Sequence, residues 1–74
     1  MHPITAYRKK HKITQINFAQ QLGVTNVYLS FLETGIRTPS PKMAAYIEKA
    51  TGGEVKRLDI LYPEELSVQD AHTS

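Results

Sequence analysis

Residues 14–35 read TQINFAQQLGVTNVYLSFLETG, two short helical patterns joined by Gly23-Val24-Thr25 and closed by Gly35. Thr14 and Thr25 each stand just before an apolar-periodic segment, where a side-chain hydroxyl can accept from an unpaired amide of the first turn. Phe18, Ala19 and Leu22 make one apolar stripe, and Leu29 and Leu32 make the next. Gly23 and Gly35 fall where a helix ends in a left-handed residue, a conformation that glycine adopts without steric cost.

With Leu29 and Leu32 turned to the core, a step of ~100° per residue sends Val27 and Thr34 nearly to the opposite side. Ser30 and Phe31 lie beside them, Asn26 at the amino-terminal flank, and Tyr28 and Glu33 at the edges of the buried side. The outer face is therefore amide, valine, hydroxyls and one phenyl ring, without charge. A solvated face ordinarily carries Lys or Glu. Insertion into a major groove accounts for the difference, because thymine presents a methyl that Val or Phe can pack against. Asn26 and Ser30 can hydrogen-bond to base edges or phosphates, and the amino-terminal end of such a helix makes the closest approach. The competing reading is a face for a protein partner, as in an antitoxin or anti-activator.

The flanking sequence extends the helical pattern. Pro3 suits the first turn of a helix running to about His11, with Ile4 and Tyr7 on one face. Ser40-Pro41 is a start signal for a fourth helix, in which Met43, Ala44, Ile47 and Ala50 recur until Gly52-Gly53. Val55, Leu58 and Leu61, with Ile60, predict a short fifth helix; alternation of Leu58, Ile60 and Tyr62 leaves a strand as the alternative. The expectation is an all-α, compact five-helix domain over residues 1–66, with a frayed tail over 67–74. The second and third helices, separated by so brief a connection, must cross steeply as a helix-turn-helix unit.

A chain of 74 residues supports one modest core. No apolar run approaches the ~20 residues of a membrane span, and the amino terminus has no apolar stretch of secretory type. No cysteine is present, which excludes disulfides and thiolate chemistry and suits a cytoplasmic location. Net charge is only +2, but it is unevenly spread. Residues 1–42 hold six cationic side chains against Glu33 alone, a balance of +5. Residues 43–74 hold three against six acids, a balance of −3. A basic half points to a polyanion, with Lys9, Lys10, Lys12, Arg37 and Lys42 as candidate phosphate contacts.

TQINFAQQLGVTNVYLSFLETG resembles the helix-turn-helix core of the lambdoid phage Cro and repressor family. The shared pattern is Thr14-Gln15, Ala19, Gly23-Val24, Leu29, Leu32 and Glu33-Thr34-Gly35. TPSPKMAAYIEKATGG resembles that family's fourth helix, so the likeness covers roughly residues 4–61. The resemblance implies base readout by Thr25, Asn26, Val27 and Ser30, with Phe31 as a further candidate. Phosphate contacts are expected from Lys9, Lys12, Thr14, Gln15, Thr34, Arg37 and Lys42. For Gln15 the partial positive charge of a helix amino terminus gives an independent reason. Relatives more often carry Gln, Ser or Lys where this chain has Val27 and Phe31, which bears on the DNA sequence read.

Similar proteins also hold an arginine of the first helix against the glutamate ending the third. Here that pair is Arg8 and Glu33, and a carboxylate at the edge of a core requires such a partner. The implied function is a phage or prophage Cro-like repressor that occludes a promoter. Its expected partners are double-stranded operator DNA of pseudo-palindromic form and a weakly associated second copy, with no membrane and no small-molecule effector. No catalytic, metal or cofactor constellation is read. His2, His11 and His72 share no ligand spacing, Glu64-Glu65 cannot converge as paired catalytic carboxylates, and Ser30, Ser40 and Ser67 have no His-Asp partners.

Overall fold

A computed structural model describes residues 1–62. It contains α1 (Pro3–Lys10), α2 (Gln15–Leu22), α3 (Asn26–Thr34), α4 (Pro41–Ala50) and α5 (Arg57–Leu61), and no strand among the described residues. Residues 63–66, with Glu64-Glu65, and the expected tail over 67–74, with Ser67 and His72, lie outside them.

Each start has a local chemical cause. The hydroxyls of Thr14, Thr25 and Ser40 accept from the amides of Asn17, Tyr28 and Met43, all at 3.1 Å. Each satisfies a donor that the helix itself cannot. His2 does the same for α1: the Ile4 N–H donates to its Nδ1 at 3.1 Å, and Pro3 follows as first helical residue.

The ends of α1 to α4 are closed by reverse bonds around a left-handed residue. At α2 the Gly23 N–H donates to Gln20 and the Val24 N–H to Ala19, with Gly23 at φ 74°. The α1 end repeats this arrangement with Lys12 and Ile13 donating to Lys9 and Arg8, yet the left-handed residue is Lys12, at φ 56°. A lysine there carries strain that a glycine would not.

The core is formed by Ile4, Phe18, Ala19, Leu22, Leu29, Leu32, Ala44, Ile47, Val55 and Ile60. Helix α2 packs on α3 and α4 on α5, while α1 touches both α3 and α5. Ala19 is 2 % exposed. A larger side chain at so closed a position would force the packed elements apart.

The carboxy-terminal third differs from the sequence expectation in three places. Ala50 is exposed, and its place in the stripe is taken by Thr51, which is buried. The Thr51 hydroxyl donates to the Ile47 carbonyl at 2.9 Å and accepts from the Val55 N–H at 3.1 Å. That double use ties the end of α4 to the next segment without an unpaired buried polar group. Val55 precedes α5 and does not belong to it. Within α5 the buried residue is Ile60, while Leu58 is 64 % exposed. One short helical turn has a single inward direction, and Ile60 takes it.

Candidate nucleic-acid interface

The outer side of α3 is built from its own caps. Thr25 is committed through its hydroxyl to Tyr28, so its side chain sits at the very tip of the helix. Asn26 follows, exposed, and Val27 is 56 % exposed on the side away from Leu29 and Leu32. Ser30 and Phe31 are half-buried, and Thr34 is exposed. The Thr34 hydroxyl donates back to the Ser30 carbonyl at 2.9 Å, so one expected phosphate donor is partly occupied within the helix. Thr14 is likewise committed to capping α2, and Gln15, half-buried, occupies the first position of that helix.

Beyond Gly35 the chain doubles back. The Arg37 N–H donates to the Phe31 carbonyl at 3.1 Å, and the Arg37 guanidinium lies 5.6 Å from the centroid of the Phe31 ring. Two residues expected to act separately, one on phosphate and one on a base, are thus in contact.

At its other side α3 is pinned to α1. Arg8 Nε donates to Glu33 Oε2 and Arg8 Nη2 to Glu33 Oε1, both at 2.8 Å, a two-pronged pair. Thr5 Oγ1 donates to the same Oε1 at 2.7 Å, and Arg8 Nη1 reaches the Ile13 carbonyl at 3.1 Å. The Glu33 side chain is only 6 % exposed. Burial pushes its carboxyl up, but the Arg8 and Thr5 hydrogen bonds and the Arg8 charge outweigh that and hold it below its usual value. His2, beside the same cluster, is moved down by burial, against the pull of the Glu33 charge. Thr5 was not anticipated from sequence. Its position one turn before Arg8, on the same helix face, is the signal that could have found it.

A helix-turn-helix family model matches residues 4–58, most of the chain. The chain belongs to the Cro/C1-type helix-turn-helix family. It is therefore a DNA-binding transcription regulator. No curated protein and no solved structure matches the chain.

The structure separates the cationic side chains into two sets. Lys10 Nζ lies 2.9 Å from Glu54 Oε1, and His11 Nε2 lies 3.0 Å from Glu54 Oε2. Arg57 Nε is 2.7 Å from Glu48 Oε1. Lys10 is thus paired with an acid of the carboxy-terminal half while its side chain stays 69 % exposed. Lys9, Lys12, Arg37 and Lys42 are exposed and have no ion-pair partner among the described residues. Only Glu33 is acidic within residues 1–42, and Arg8 neutralises it. The acidic residues Glu48 and Glu54 instead gather cations of their own around α4 and the end of α1. Neither was foreseen, because sequence distance hides both pairings.

Proposed function

We propose that this helix-turn-helix regulator is a Cro-like repressor of phage or prophage type that blocks a promoter by occupying it. The observation that carries the reading is the side of α3 that bears no charged residue of its own, with Asn26 and Val27 exposed at its amino-terminal end. Such a surface suits base edges, and Val27 and Phe31 suit thymine methyls. Thr25, Asn26, Val27, Ser30 and Phe31 are the proposed base readers. Lys9, Lys12, Thr14, Gln15, Thr34, Arg37 and Lys42 are the proposed phosphate contacts, while the Arg8–Glu33 pair holds the reading helix in place.

Two copies are proposed to bind a pseudo-palindromic operator, meeting through residues 54–66, of which 63–66 lie outside the described residues. Leu58 and Tyr62, 64 % and 53 % exposed, support a second copy at that end of the molecule. Half-sites should then lie about 34 Å apart, one helical turn. Sedimentation of the protein on operator DNA should give two chains per site, and one chain per site at all concentrations contradicts the pairing.

Selection of bound sequences from a random duplex pool tests the reading as a whole. The wild-type chain should enrich a thymine-containing motif, and Val27→Ala or Phe31→Ala should erase preference at separate positions. If a dimer neutralises ~6 phosphates, log K should fall against log salt with a slope of about −5. A salt-insensitive or absent signal would replace this reading with the protein-binding one.

A further inference from the structure

We propose that Arg37 is a positioning residue for Phe31, so that phosphate capture and base reading by this pair are one event. The inference rests on the DNA-reading assignment above and adds a coupling that the family pattern does not contain. Gly35, at φ 81°, turns the chain back over the end of α3. The Arg37 amide is then fixed to the Phe31 carbonyl at 3.1 Å, which sets where its side chain begins. The guanidinium lies over the ring at 5.6 Å from the centroid, inside the ~6 Å reach of cation–π attraction. No carboxylate among the described residues competes for it. Phe31 itself is half-buried, with the guanidinium carbon of Arg37 over its ring.

The chemistry follows from the shapes. A guanidinium can stack on a ring through its face while its N–H edges remain free for phosphate oxygens. Arg37 can therefore bind the backbone of DNA without releasing Phe31. A phosphate held at that edge fixes the guanidinium, and the guanidinium fixes the ring against the methyl it contacts. Lysine carries the same charge to the same phosphate, but has no plane to stack. That difference separates positioning from simple charge.

The test compares affinity for one selected duplex carrying thymine, or deoxyuridine in its place, at the position that Phe31→Ala desensitises. Burying one methyl corresponds to a preference of about fourfold for thymine. The wild-type chain should show it, and Phe31→Ala should not. Arg37→Lys should keep the wild-type salt slope yet lose most of the thymine preference. Arg37→Ala should lose the preference and also flatten the slope by about one unit. The double variant Phe31→Ala, Arg37→Lys should match Phe31→Ala in preference. If wild type discriminates and both Arg37 variants discriminate equally well, the coupling is wrong while base reading stands. If wild type binds duplex but ignores the methyl throughout the site, Phe31 readout and the coupling fall together.

Discussion

Two ion pairs in this molecule have nearly the same length and very different surroundings. Arg8–Glu33 measures 2.8 Å and joins α1 to α3, with side chains 15 % and 6 % exposed. Arg57–Glu48 measures 2.7 Å and joins α5 to α4, with side chains 53 % and 22 % exposed. Distance alone would rank them as equals. Burial does not, because water and salt already satisfy the second pair when it opens, whereas the first leaves a desolvated charge behind. The pair that anchors α3 to α1 is therefore expected to matter more to stability.

Glu33→Ala is the strongest way to break that contrast. It strands the Arg8 guanidinium and the Thr5 hydroxyl, and should cost about 3 kcal/mol, a drop in midpoint of roughly 12–24 °C for a domain of this size. A thermal melt showing a loss of only a degree or two would put the two ion pairs in one class.

Acid sharpens the comparison. Glu33 is held below its usual value of 4.5, so on acidification the unfolded chain takes up the proton first. Its contribution is therefore complete above about pH 4.5 and is lost as pH falls through the lower folded-state value. His2 acts in a higher window. Its folded value lies below the ordinary 6.5, so its contribution is present above that pH and fades beneath it. Denaturant titrations from pH 8 to 3 should show two successive declines. His2→Asn, which can still cap α1, should remove the upper one, and an unchanged upper decline would assign it elsewhere.

A smaller effect, of opposite sign, is expected at Lys12. Replacing it by glycine relieves left-handed strain of ~1–2 kcal/mol but frees the unfolded chain, leaving a net gain of about 0.5–1 kcal/mol. The same change removes a proposed phosphate contact and should reduce the salt slope by about 0.9 per Lys12 neutralised. A more stable protein that binds DNA less tightly is the expected result; a less stable one contradicts the strain. Least of all is expected from Glu48→Ala, which should leave the melting midpoint unchanged within measurement.

The parts of the fold that were legible in advance are those decided by neighbours in sequence. A threonine three residues before a free amide caps it wherever the helix goes, so Thr14, Thr25 and Ser40 could be read directly. Gly23 and Gly35 announce their own backbone conformation. Helical geometry alone put Val27 outside and Leu29 inside. What could not be read depends on contacts across the molecule: the exposure of Leu58, the buried work of Thr51, the pairing of Lys10 with Glu54, and the approach of the Arg37 guanidinium to the Phe31 ring. Lys12 is instructive in another way, since nothing in a lysine signals a left-handed residue. In the candidate interface, charge counting could not show that Lys10 pairs with Glu54, nor periodicity that the Thr34 hydroxyl bonds to the Ser30 carbonyl.

The Arg8 anchor holds α3 near its carboxy-terminal end, whereas three of the proposed base readers, Thr25, Asn26 and Val27, stand at the other. From Glu33 back to Asn26 the helix is an arm about 10 Å long, with the fulcrum at Glu33. A tilt of ~10° there would swing Asn26 by about 2 Å, several times the ~0.5 Å tolerance of a positioned contact. As that fulcrum slackens, the protein should first misread its target and only later let go of it.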